Sequence, residues 1–204
     1  ISGSFSRKRS KTNWTSNVKR IIIFASGSGS NAQRIIEHFN AHPSKAQVVA
    51  VYCNNPRAYV IERCKQLNVQ CRVFNRKDFY ENNQVLSWLK EDNAELIVLA
   101  GFLWLIPAEL IRTFPEKIIN IHPALLPAYG GKGMYGHHVH EAVIANKETQ
   151  SGITIHLVNE EYDKGKILFQ AITPVTPDDT PDTLAQKIHL LEHTHFPQVI
   201  EAYL

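Results

Sequence analysis

Methionine occurs once in 204 residues, which argues against a soft, Met-lined binding surface. Cysteine occurs three times, at Cys53, Cys64 and Cys71, an odd number without CxxC spacing. That usage argues against a disulfide framework or a thiolate zinc site and fits a reducing cytosol. Long apolar runs are missing too. None approaches the roughly 18 residues that a membrane-spanning helix needs, so an integral membrane protein is excluded. Acids are missing from residues 1–20, which carry Arg7, Lys8, Arg9, Lys11, Lys19 and Arg20. Without those six bases, 16 Lys and Arg face 19 Asp and Glu, so the overall charge of +3 hides a body at −3.

The basicity therefore belongs to an N-terminal segment rich in Ser, Lys and Asn, not to a binding face on the fold. Residues 1–18 read as a disordered basic tail outside the catalytic unit. A nucleic-acid arm, a targeting segment or an added leader would read the same way, although no apolar h-region follows to make a signal peptide. The remainder, at 44% hydrophobic and 20% charged residues for the whole chain, has ordinary globular composition.

The body alternates short apolar runs with amphipathic segments. Ile21–Ala25, Val48–Tyr52, Cys71–Phe74, Leu96–Ala100 and Ile118–Ile121 read as strands. Helices are predicted at Ala32–Phe39, Val60–Leu67, Phe79–Lys90 and after Pro107. This repetition predicts an α/β fold, a mostly parallel twisted sheet with helices on both faces and a Rossmann-like N-terminal half. Beyond Ile121 a glycine-bearing loop, Gly130–Gly136, leads to a helix near His140–Ala145. Gly152–Val158 and Ile167–Val175 are strand-like, and Thr180-Pro181-Asp182 reads as the cap of a final helix. No linker divides the body. Residues 19–204 read as one domain, with a phosphate-binding half to about residue 116 and a C-terminal half completing the site.

Three motifs carry candidate chemistry. Ser26-Gly-Ser-Gly-Ser-Asn31 follows the first strand and opens a helix, so backbone N–H groups and the Ser30 and Asn31 side chains can face an anion. The G-x-G-x-x-A spacing also suits a dinucleotide, but the end of the second strand, Tyr52-Cys53-Asn54-Asn55, has no carboxylate for a ribose. A monophosphate cradle fits better; a turn that needs glycine for geometry alone is the bland alternative. The second motif, Asn120-Ile-His-Pro123, ends a strand, and alternation sends Asn120 and His122 to the same side. An amide and an imidazole aimed together can polarise a carbonyl and stabilise the oxyanion formed on attack. The third, Glu160-Glu-Tyr-Asp-Lys-Gly165, reads alone as a solvated turn. His137, His138 and His140 lack the spacing of a helical zinc pair, so no metal is expected.

In this order the motifs resemble the phosphoribosylglycinamide formyltransferases, folate-dependent enzymes of purine synthesis. The matching stretches are Ser26–Asn31, Leu99-Ala-Gly-Phe102, Asn120-Ile-His-Pro-Ala-Leu-Leu-Pro127, Gly152–Val158, and Asp163 with Gly165. The resemblance implies a formyltransferase fold and transfer of a formyl group from 10-formyltetrahydrofolate, as co-substrate, to the amine of a glycinamide ribose phosphate. It implies catalytic roles for His122, Asn120 and Asp163, with Asp163 raising the pKa of His122 so that the imidazolium persists to neutral pH. Gly29, Ser30, Asn31, His189 and Glu192 would hold the phosphate and ribose. Leu103, Trp104, Leu105, Ile106, Asn120, Asn159, Glu160, Glu161 and Lys77 would contact the folate. Trp104 stands where many relatives carry arginine, and the Gly130–Gly136 loop is longer than in several. The implied partners are these small molecules, with no nucleic acid and no membrane, in a cytoplasmic monomer or homodimer.

Two rivals share the Asn/His/Asp chemistry. A formyltetrahydrofolate deformylase carries a regulatory domain ahead of the catalytic one, which a tail of this length does not form. A methionyl-tRNA formyltransferase carries a C-terminal tRNA-binding domain, and here the last helix ends the sequence. A nucleotide-binding module without catalysis would use the glycine loop alone.

Overall fold

The computed structural model describes residues 18–161 and 163–204. The predicted tail, apart from Val18, lies outside the described residues. Seven strands form one sheet in the order β3-β2-β1-β4-β5-β6-β7. They are β1 (Lys19–Ala25), β2 (Ala46–Cys53), β3 (Gln70–Val73), β4 (Leu96–Leu99), β5 (Ile118–His122), β6 (Gln150–Leu157) and β7 (Ile167–Pro174). The first five run parallel, and β6 and β7 add an antiparallel edge. The helices are α1 (Ser30–Ala41), α2 (Val60–Gln66), α3 (Arg76–Tyr80), α4 (Gln84–Glu91), α5 (Ala108–Thr113), α6 (His137–Ala145) and α7 (Pro181–Tyr203). The α/β architecture agrees with the sequence pattern.

Period-two alternation on β1 explains why the sheet is covered on both faces. Ile21, Ile23 and Ala25 join a core with Ile35, Phe39, Val139 and Ile188, under α1, α6 and α7. Ile22 and Phe24 point the other way, into a core with Phe79, Leu89 and Leu110 from α3, α4 and α5. All five of these residues are buried, which is why Ile21–Ala25 reads as unbroken hydrophobicity. Among the described residues no helix is long and apolar enough to cross a membrane.

One predicted helix divides. Phe79–Lys90 reads as a single amphipathic run, but α3 ends at Tyr80 and α4 begins at Gln84. Asn83 holds a left-handed φ of 56°, which asparagine tolerates better than most residues and which no helix interior accommodates. The final helix starts as its capping residues predict. Thr180 accepts from the Thr183 N–H, Thr183 reaches back to the Thr180 N–H, and Pro181 occupies the first turn. The three cysteines are free thiols, and Cys64 and Cys71 hydrogen-bond each other.

Candidate active site

The strand order turns back at β1, whose neighbours β2 and β4 carry the chain to opposite sides. In such sheets ligands bind beyond the carboxyl ends of the strands at this switch point. A cavity of about 690 Å³ opens there, lined by the loop after β1, the segment after β4, the end of β5 and the loop after β6. That volume lies within the range of small-molecule sites.

At one end the β1–α1 loop forms the wall. Gly29, at φ 75°, is the residue before α1, and Ser30 and Asn31 begin the helix, so the first free N–H groups lie at the cavity. A Cβ on Gly29 would fall 2.3 Å from Val60 Cγ2 and 2.9 Å from Val60 Cα. The glycine is therefore required by packing of the loop on α2. Gly27 differs: a Cβ there meets nothing within 4 Å. Asn31 Nδ2 donates to Glu192 Oε2 at 2.9 Å. Glu192 is almost wholly buried on α7, and burial pushes its pKa up, with Asn31 and His189 acting against that. His189, Glu192 and Lys132 line the same cavity.

The opposite wall is apolar. Leu103, Trp104, Leu105 and Ile106 all line it, with Leu103 54% and Leu105 41% exposed. The Leu103 N–H donates to Ser26 Oγ at 3.0 Å, tying this wall to the glycine loop. Two of the residues predicted for the folate side do not line the cavity. Lys77 is exposed on α3, and the cation brought to the wall is its neighbour Arg76, whose guanidinium lies 5.1 Å from the Trp104 ring and 5.2 Å from the Tyr80 ring. Glu160 turns outward to pair with Arg112 at 3.3 Å, while Asn159 and Glu161 line the cavity.

Between the walls lie Asn120, His122, Asp163 and His156. His122 Nε2 sits 2.7 Å from the Tyr129 carbonyl oxygen, which can only accept, so Nε2 carries the proton. Its Nδ1 faces Asp163 Oδ2 at 3.6 Å. The predicted rise in the pKa of His122 does not hold. Burial lowers it more than Asp163 and the Tyr129 carbonyl raise it, so the resting imidazole is neutral with a basic Nδ1. Burial pushes Asp163 upward, but His156, the Gly131 N–H at 2.9 Å and His122 outweigh it and keep the carboxyl below its usual range. Asp163 stands at a left-handed φ of 53°. Gly165 allows the loop to fold tightly beneath it, since a Cβ there would fall 1.6 Å from the Leu157 carbonyl oxygen.

His156 is the residue that motif reading passed over. It lies opposite Asn120 in the β5–β6 pairing. Its Nδ1 donates to the Leu157 carbonyl at 2.9 Å, and its Nε2 faces both Asn120 Nδ2 at 3.1 Å and Asp163 Oδ1 at 3.6 Å. These contacts hold the Asn120 amide in place. The alternation Thr154-Ile155-His156 was the available signal, because the same strand face carries Thr154, which accepts from the Leu126 N–H and donates to the Ala124 carbonyl. His140, also in the lining, is buried with Nδ1 unpartnered and its pKa pushed down to about 4, chiefly by burial.

Known proteins resemble this chain over about nine-tenths of its length. Phosphoribosylglycinamide formyltransferase of Bacillus subtilis (strain 168) is 36% identical over 192 residues, covering 92% of this chain and 95% of that protein. The chloroplastic enzyme of the same name from Arabidopsis thaliana is 39% identical over 189 residues, and the chain spans 65% of its length. The crystal structure of glycinamide ribonucleotide transformylase 1 from Geobacillus kaustophilus superposes with a TM-score of 0.83 at 34% identity, covering 92% of this chain and 99% of that one. A family profile described as formyl transferase matches residues 19–200, nearly the whole described fold, and with the sheet order and these relatives it places the chain in the formyl transferase family.

Proposed function

We propose that this chain transfers the formyl group of 10-formyltetrahydrofolate to the amine of 5'-phosphoribosylglycinamide, a step of purine biosynthesis. The observation that carries the reading is one cavity with an amide, an imidazole and a carboxylate between a helix N-terminus and an apolar wall. Gly29, Ser30 and Asn31 hold the phosphate through backbone and side-chain donors, with His189 and Glu192 against the ribose. The Leu103–Ile106 wall, with Asn159 and Glu161, takes the pterin. Residues 19–204 act as one unit, the segment to about 116 carrying the phosphate end and the remainder completing the catalytic floor.

In the reaction, the amine nitrogen attacks the formyl carbon and the carbonyl electrons move onto oxygen. Asn120, oriented by His156, donates to that oxyanion. Neutral His122 takes the amine proton at Nδ1, and Asp163 stabilises the resulting imidazolium. His122 then returns the proton to the folate nitrogen as the carbon–nitrogen bond breaks and the formyl amide is released. The balance requires neither a covalent bond to the enzyme nor an external oxidant.

Folate absorbance, followed with 10-formyltetrahydrofolate in the presence and absence of glycinamide ribonucleotide, tests the reading. Turnover should require the amine. Equal turnover without it would make the enzyme a hydrolase and overturn the proposal.

A further inference from the structure

The C-terminal turns of α1 and α7 bring together three side chains that take no part in the cavity: His38, His42 and Glu201. Four-residue spacing puts both imidazoles on one face of α1, with ring centroids 4.6 Å apart. His38 Nε2 lies 2.6 Å from Glu201 Oε2, and one ligand atom from each of the three residues falls within 4.8 Å of the other two. His42 Nδ1 lies 2.8 Å from the His38 backbone oxygen, so Nδ1 carries the proton and Nε2 offers its lone pair. Anchoring one ring nitrogen on a carbonyl is how metal-binding imidazoles are usually oriented.

We propose that His38, His42 and Glu201 form a binding site for a divalent transition metal, distinct from the catalytic cavity. Two imidazoles and one carboxylate suit Zn²⁺, Co²⁺ or Ni²⁺ and not Mg²⁺ or Ca²⁺, which take oxygen ligands; water completes the coordination. To admit the ion, His38 Nε2 gives up its proton and the short His38–Glu201 contact opens by a fraction of an ångström to about an ångström, the spread of metal–ligand bonds near 2.0–2.2 Å. The bound metal ties α1 to α7. These helices already meet two turns earlier, where Asn31 donates to Glu192 at the cavity, so the site clips the far end of the pair that walls the phosphate.

Calorimetric titration of Zn²⁺ into the metal-stripped full chain tests the proposal, with thermal melts alongside. One saturable equivalent is expected, together with a higher melting temperature. Because His42 is exposed, His42→Gln should melt like the wild type without metal yet bind Zn²⁺ at least about tenfold more weakly. Glu201→Gln should also weaken binding. His137→Gln and His138→Gln, in the other exposed histidine cluster, should leave it unchanged. Absence of saturable binding below millimolar Zn²⁺, or equal affinity in His42→Gln, overturns the proposal.

Discussion

At His122 burial and a carboxylate act in opposite directions, and burial wins. The wild-type imidazole is neutral at pH 7 and protonates below the ordinary value of about 6.5. Asp163→Asn removes the charge that opposes burial, so His122 should protonate at still lower pH and its imidazolium should lose its partner. Turnover at pH 7 is expected to fall by about 10²–10⁴, the usual worth of a general acid–base contribution. The acid limb of the rate profile moves down as well. The variant-to-wild-type ratio therefore rises as pH falls below about 6.5, and protonation of the substrate amine cancels in that ratio. A flat ratio from pH 5 to 8 would show that Asp163 does not act through His122. His140 gives a second pH signature, in stability. Its folded pKa of about 4 lies below the ordinary histidine value, so the unfolded chain binds the proton first and stability declines as pH falls. The loss starts near pH 6.5, ends near pH 4 and amounts to at most roughly 3 kcal/mol. Melting temperatures of His140→Gln over this range should show a shallower decline than wild type; an identical decline would contradict the assignment.

Elements explain which parts of the site could be read beforehand. Asn120 and His122 share a side because strand alternation is local, and Ser30 and Asn31 stand at a helix start because Gly27 and Gly29 announce the turn. His156 could not be paired with Asn120 from local pattern, since that contact depends on the antiparallel register of β6 on β5. The break between α3 and α4 has a different cause: Phe79, Val85, Leu86 and Leu89 keep helical spacing across it, while the backbone leaves the helix at Glu81 and turns left-handed at Asn83. The resemblance implies Lys77 on the folate side, whereas the adjacent Arg76 stacks on Trp104, a contact set by how α3 packs and not by local pattern. The glycine loop yields a paired test. Gly29→Ala drives a methyl into Val60 at a left-handed φ and should cost about 2 kcal/mol or more, several degrees in Tm. Gly27→Ala meets open space, so Tm should hold while the Kd for glycinamide ribonucleotide rises and that for folate does not. Loss of Tm in Gly27→Ala, or equal weakening of both ligands, would make the loop a structural turn only.

Across the whole molecule, one sheet supplies both halves of the site: parallel strands carry the glycine loop, and the antiparallel β6 positions His156 against Asn120 and carries the chain into the Asp163 loop. The first strand is anchored by Glu95, which takes Lys19 Nζ at 3.0 Å and the Arg20 N–H at 3.1 Å. Removal of residues 1–17 is therefore expected to leave Tm nearly unchanged and turnover within about twofold, and a larger loss would show that this segment reaches the cavity. In the proposed reaction His122 carries the proton, assisted by Asn120 and Asp163, while the remaining cavity residues bind the substrates. The most direct measurement of that role sets the Kd of each substrate against single-turnover formyl transfer for His122→Gln. Both Kd values are expected within about threefold of wild type, with transfer slowed by about 10²–10⁴. Transfer within tenfold of wild type, or affinity lost in step with rate, would contradict that role.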